Sequence, residues 1–317
     1  MLTTKSIRVN LMKGKISKIK EKHHGGFFFN LFYEGFVRLY LIPNFRRVLS
    51  FIFRKKTPND MVFLVGCYNS GTTILRDILK SHPNVGGMPR EGVRFTDVFT
   101  DMQHGGWIRM AYHNRRLPSS FFSVDESREK LDRDWGFWAK RNETVFLEKS
   151  ITHSFRLEFI KKIYPSAKFI AITRDGYCSS EGVMRRARPI GHAEKVLGKS
   201  TYPEELCAEQ WSYINENLLA FSENNGSCLH IRFEDFVLEP EETVKTLFRH
   251  IGVDEKLVSI KGDVLYVADK SFPIKNTNPG SRSRFQKNQL NLDAFNRIAG
   301  ETMSKFGYSL MSGDGNE

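Results

Sequence analysis

The stretch Met61-Val62-Phe63-Leu64-Val65-Gly66-Cys67-Tyr68-Asn69-Ser70-Gly71-Thr72-Thr73 decides the fold. Five apolar residues bounded by Asp60 and Gly66 read as a buried strand, and the apolar spacing from Thr72 to Ser81 reads as a helix. Between them lies the phosphate-loop spacing G-x-x-x-x-G-x-[ST], with Thr72 where a nucleotide triphosphatase has its lysine. Two glycines let backbone N–H groups wrap an anion at a helix N-terminus. A phosphate site therefore survives without the lysine that a γ-phosphate needs, which opens the way to a donor that transfers something other than phosphoryl.

Working outward, Val145 to Leu147, Lys168 to Thr173 and Cys228 to Phe233 read as further short buried strands. Helical patterns run over His153 to Tyr164, Ser179 to Arg188, Glu204 to Glu223, Pro240 to Ile251 and Leu292 to Phe306. Strands alternating with helices predict an α/β fold, a P-loop NTPase-like parallel sheet with helices on both faces. About 80 residues separate the first two of these strands, too many for a plain crossover. That stretch holds Trp107, Trp135 and Trp138 and is expected to fold into helices forming one wall of a substrate cleft, with Gly92 to Asn142 choosing the acceptor.

The chain has 317 residues, of which 40% are hydrophobic and 26% charged, with 26 Phe, so a folded globular protein is expected rather than a disordered or coiled-coil one. Four dispersed cysteines form neither a zinc pattern nor a disulfide framework, which fits a reducing compartment and a cytoplasmic location. A formal charge of +12 raises the question of a nucleic-acid partner. Thirteen bases and only three acids fall in residues 1–60, so ten of the twelve net charges sit there and no nucleic-acid partner is expected for the rest. We read residues 1–58 as a basic, aromatic-rich extension, 59–312 as a single catalytic domain and 313–317 as a flexible tail. Within the extension, Phe27 to Ile42 is interrupted by Asn30, Glu34 and Arg38 and makes a poor transmembrane span. Asn44 to Lys56 reads as a basic amphipathic helix that either packs on the body or lies peripherally on an anionic membrane.

Several ordered blocks resemble the sulfotransferases that use 3′-phosphoadenosine 5′-phosphosulfate (PAPS), most closely the tyrosylprotein and bacterial enzymes. Asn69-Ser70-Gly71-Thr72-Thr73 is similar to their 5′-phosphosulfate loop [KR]-S-G-T-T in all but its first residue. In family order follow Glu148-Lys149-Ser150, Arg174-Asp175-Gly176, Arg232-Phe233-Glu234-Asp235-Phe236 with Pro240-Glu241-Glu242-Thr243, and Ser281-Arg282-Ser283-Arg284-Phe285 before a last helix. The blocks span about residues 61 to 308.

The resemblance implies PAPS as donor, no required metal, and an acceptor hydroxyl on a glycan, a tyrosyl peptide or a lipid. It implies that Arg174 holds the donor's 3′-phosphate, a task the family shares with a serine eight residues later. That position is Gly182 here, and Ser179 or Ser180 is the expected substitute. Arg282 and Arg284 either close over the same phosphate or stay solvated, and Phe233 either lies beside adenine or packs in the core. Asn69 stands where most of the family has Lys or Arg against the leaving phosphate, and Lys149 is expected to supply positive charge to the moving sulfuryl group. Glu91 matches the carboxylate that the tyrosylprotein enzymes of the family place as base, with Arg94 on the substrate side; many cytosolic relatives use a histidine, which makes His104, His113 and His153 the rival bases. Two other readings stay open: a P-loop kinase or NTPase, which Thr72 disfavours, and a catalytically degenerate nucleotide-binding protein. Oligomeric state is not legible.

Overall fold

The computed structural model describes residues 27–52, 60–139, 142–287 and 291–312. The expectations for residues 1–26, for the last part of the basic helix and for the tail at 313–317 lie outside the described residues. The chain divides between residues 54 and 55 into two compact units. The first holds α1 (Phe27–Tyr40) and α2 (Pro43–Ile52), the latter opening on a proline that suits a first helical position. Phe36 meets Tyr40 and Phe45 at ring separations of 6.4 and 6.2 Å, while Phe32, Ile42 and Val48 are exposed. Among the described residues no helix is long and apolar enough to cross a membrane.

The second unit begins with β1 (Asp60–Gly66), α3 (Thr72–Leu79) and β2 (Val85–Gly87), then runs through the wall to α4 (Val124–Gly136) and β3 (Val145–Glu148). It continues as α5 (Leu157–Ile163), β4 (Lys168–Thr173), α6 (Gly176–Arg186), α7 (His192–Leu197), α8 (Glu204–Asn224) and β5 (Cys228–Arg232). Then come α9 (Phe233–Leu238), α10 (Pro240–Ile251), β6 (Val258–Lys261), β7 (Val264–Val267), β8 (Lys270–Pro273), α11 (Asn278–Lys287) and α12 (Leu292–Lys305).

Strands β2-β3-β1-β4-β5 lie in that order and pair in parallel, as the alternation of strands and helices predicts. Successive strand residues point to opposite faces, so each strand feeds two cores. Val62, Leu64, Ile170 and Ile172 pack with Leu75 and Ile78 of α3 and with Val244 and Phe248 of α10. On the other face Phe63 stacks on Phe169 at 5.5 Å and meets Trp135 of α4, and Phe169 meets Phe221 of α8. The chain leaves β1 toward β2 and β3 but leaves β4 toward β5, so the direction reverses between β1 and β4. The crevice beyond their carboxyl ends is where such sheets take ligands.

Departures from the expected elements have local causes. The helix expected from His153 starts only at Leu157, because Ser154 Oγ bonds both the N–H and the C=O of Gly66, each at 3.0 Å, and holds Ile151–Phe155 as a 3₁₀ turn against β1. The strand expected over Cys228 to Phe233, β5, stops at Arg232, and Phe233 opens α9. Helix α6 starts three residues early, since Asp175 accepts the Cys178 N–H at 2.9 Å as its cap. The wall is mostly irregular: one helix, α4, and 3₁₀ turns at Gly92–Phe95, His104–Gly106 and Ala111–Asn114. The three-residue β2 and the antiparallel β6-β7-β8 sheet were not legible in the sequence pattern.

Candidate active site

The β1–α3 loop turns into its helix at Gly71, whose φ of +103° is left-handed and whose added Cβ would stand 2.6 Å from the Phe233 ring. No side chain caps the first turn of α3, so its N–H groups open onto a cleft of about 810 Å³. That volume suits a nucleotide with part of an acceptor. Among the described residues eight Lys and Arg line the cleft against two carboxylates, Asp77 and Glu91. The cationic balance that composition put in the extension is thus repeated, locally, around the loop.

Arg174, at the end of β4, is buried, and each guanidinium nitrogen makes one hydrogen bond, which leaves one N–H on each of Nη1 and Nη2. Its Nη1 donates to the Asn69 carbonyl at 2.9 Å, Nη2 to Thr277 Oγ1 at 2.9 Å and Nε to Asn278 Oδ1 at 2.8 Å, and the plane lies 4.4 Å from the Phe233 ring centre. Phe233 belongs to the core and lines the cleft as well, beside Phe236, Val237, Phe272 and Ile274, which together make an apolar slot.

Two consecutive residues at the end of β3 hold two consecutive residues of the wall. Lys149 Nζ bonds Glu91 Oε1 at 2.9 Å within the cleft, and Glu148 Oε1 accepts the Gly92 N–H at 2.6 Å in the core. Glu148 is fully buried, accepts the Ser150 hydroxyl, and pairs with the equally buried His153 at 2.8 Å. Burial pushes the Glu148 carboxyl up, but the charge of His153 and the hydrogen bonds from His153, Ser150 and Gly92 outweigh it and hold the group below its ordinary value. Tyr68, only 7% exposed, lines the same cleft with a hydroxyl that has no partner among the described residues; burial and the nearby Glu91 charge raise its pKa, so it stays a donor.

The structure thus gathers Asn69, Gly71, Thr72, Thr73, Glu91, Arg94, Lys149, Arg174 and Phe233 around one cleft. Ser70 lies beneath the loop, its hydroxyl bonded to the Cys67 carbonyl at 2.8 Å. Arg284 lines an adjoining cavity of about 350 Å³ with Arg174, Gly182 and Thr277, and pairs with the buried Glu181 at 2.8 Å. Other residues are not brought in. Arg282 pairs with Asp175 at 2.6 Å, and Ser179 and Ser180 are buried in α6; none of these three lines either cavity. His104, His113 and His153 do not line the cleft either, and His113 lies stacked on Trp107 at 3.6 Å.

Arg109, Arg186 and the Phe272 to Thr277 edge were missed by the sequence reading. Arg186 carried a signal, standing four residues after Gly182 on the same helix face. Arg109 carried none, since it sits in an irregular segment.

A family model described as "Sulfotransferase family" matches residues 60–256. Protein-tyrosine sulfotransferase 1 of Danio rerio is 28% identical over 213 residues, covering 64% of this chain and 55% of that protein. Omega-hydroxy-beta-dihydromenaquinone-9 sulfotransferase of Mycobacterium tuberculosis is 27% identical over 128 residues, covering 37% of this chain and 30% of that protein. The chain therefore spans about half or less of the length of these curated relatives. The crystal structure of a sulfotransferase from Alicyclobacillus acidocaldarius has a TM-score of 0.47 and 16% identity, covering 80% of this chain and 97% of that one.

Proposed function

The chain belongs to the sulfotransferase family, and on that premise we propose that it moves the sulfuryl group of PAPS to a hydroxyl of an acceptor. The observation that carries the reading is the Lys149–Glu91 pair standing in the same cationic cleft as a phosphate loop that lacks the triphosphate lysine. The donor supplies an activated sulfuryl group; the rest is the work of this chain's side chains. The loop's N–H groups and Thr72 and Thr73 bind the 5′ end, Arg174 and Arg284 the 3′-phosphate, and the Phe233 slot the base. Glu91 takes the acceptor's proton as its oxygen meets sulfur. Lys149 makes a single hydrogen bond among the described residues, to Glu91, so its remaining donors are free to face the sulfuryl oxygens.

On the acceptor side, Arg90 and Arg94 support a substrate that carries negative charge near its hydroxyl. Relatives named for tyrosyl proteins and for a hydroxylated menaquinone make both peptide and lipid hydroxyls candidates, with glycans as a third class. The test is a screen of tyrosyl peptides, hydroxylated lipids and glycans with sulfur-labelled PAPS. Label transfer that stops in Glu91→Gln supports the reading. Phosphoryl transfer from ATP with no transfer of label would replace it with a kinase.

A further inference from the structure

We propose that Arg109, reaching over from the acceptor wall, supplies the positive charge at the donor's 5′ end that the loop lacks at Asn69. This rests on the reading of the cleft as a PAPS site. Three non-glycine residues among those described have a left-handed backbone, and two of them, Asn69 at φ 65° and Arg109 at φ 59°, bond each other through Arg109 Nη1 and Asn69 Oδ1 at 3.3 Å. Such conformations persist where surrounding structure over-determines them, often at working sites. Around Arg109 that structure is visible: Gln103 Oε1 accepts its N–H at 2.7 Å and Gln210 Nε2 donates to its C=O at 3.0 Å. The backbone is clamped and the side chain is aimed. No carboxylate pairs with it among the described residues.

Asn69 and Gly182, the two departures from the family pattern, form one arrangement. A Cβ on Gly182 would lie 2.6 Å from Asn69 Cγ and 2.9 Å from its Cβ. With that space open, Asn69 Nδ2 donates to the Ser179 carbonyl at 3.3 Å, and Oδ1 turns to gather both Arg109 and Arg186, each at 3.3 Å. A neutral loop residue thus holds guanidinium groups borrowed from two other elements. Burial and then the neighbouring Arg185 and Arg109 charges depress the Arg186 pKa, so this is a crowd of cations short of an anion.

In the transfer the acceptor oxygen bonds sulfur and its proton goes to Glu91. The sulfur–oxygen bond to the 5′-phosphate breaks, and its electron pair stays on the phosphate oxygen. Arg109 neutralises that growing charge from the acceptor's side, so departure of the phosphate is coupled to the wall that chooses the acceptor.

The test is calorimetric titration of the full chain with adenosine 3′,5′-bisphosphate and with adenosine 3′-monophosphate, which lacks the 5′ group. Arg109→Ala should weaken the bisphosphate about 10- to 100-fold, the size of one charge-assisted contact, and leave the monophosphate nearly unchanged. Arg109→Gln keeps a polar side chain at the position but removes the charge, and should show the same selective loss. Asn69→Lys in the Arg109→Ala background should restore the bisphosphate, with a smaller gain when introduced alone. Equal losses for both nucleotides, or no loss with only a raised acceptor KM, would overturn the inference and assign Arg109 to packing or to the acceptor. Wild-type protein that binds neither nucleotide would overturn the donor reading itself.

Discussion

Lys149 Nζ stands 2.9 Å from Glu91 Oε1, joining residues 58 positions apart in the chain. The neighbouring Glu148 turns the other way and holds the Gly92 N–H from the core, as strand alternation requires. The loop bearing Glu91 is therefore gripped from both sides by one strand end, and the carboxylate is oriented before any substrate arrives. Pre-set orientation of this kind is what proton transfer from a weakly acidic hydroxyl demands.

Glu91→Gln should lower turnover by about 10²- to 10⁴-fold, the usual contribution of a general base, while affinity for adenosine 3′,5′-bisphosphate stays nearly unchanged. Single-turnover kinetics beside a binding titration checks it. Retained turnover in Glu91→Gln, with activity lost in a His104, His113 or His153 variant that still folds, would move the base to a histidine.

Glu148 sets a pH dependence of stability. Its folded-state carboxyl lies below the ordinary value of 4.5 despite burial, because His153, Ser150 and Gly92 favour the charged form. The unfolded chain then takes up its proton first, so the contribution is complete above that ordinary value and is lost as pH falls through the folded one. Urea unfolding followed from about pH 6 down to 3 should show a stability slope that Glu148→Gln flattens. His153→Ala, which strands the buried carboxylate, should cost about 3–5 kcal/mol at neutral pH.

Arg174→Ala removes three hydrogen bonds that tie the β1 loop to the Thr277–Asn278 edge. Nucleotide binding should suffer first: the melting-temperature rise given by adenosine 3′,5′-bisphosphate should shrink, with Kd weakened about 10- to 100-fold. An undiminished rise in this variant would remove Arg174 from the donor site.

The α1–α2 unit exposes Phe32, Ile42 and Val48 beside Arg38 and Arg47, in a chain whose first 58 residues hold thirteen Lys and Arg, and we propose that residues 1–58 dock on anionic membrane surfaces. Sedimentation with phosphatidylserine vesicles should show binding that weakens with salt and disappears when these residues are deleted. Salt-independent binding, or none, speaks against it.

What was legible follows the range of the interactions. The loop from Gly66 to Thr73 and Arg174 at a strand end announce themselves because glycine spacing and strand ends are local in sequence. Arg109 does not, because its backbone is shaped by Gln210, about a hundred residues away, and its direction by Asn69, forty residues back. The β6–β8 sheet escaped notice for a different reason: its strands are four residues each, with Lys261, Lys270 and Ser271 exposed, so the apolar alternation is too short to register. Ser154 broke a helix that periodicity predicts, since two hydrogen bonds to Gly66 outweighed the propensity of a single turn.

The central claim, that this cleft is built for an adenosine 3′-phosphate donor rather than a triphosphate, meets its most direct test in one competitive titration of the wild-type chain. Adenosine 3′,5′-bisphosphate and ATP with magnesium are measured against the same protein by calorimetry. Tighter binding of the bisphosphate, unaffected by chelating the magnesium, is the predicted result. Tighter binding of magnesium-ATP, or no binding of the bisphosphate, would contradict the account.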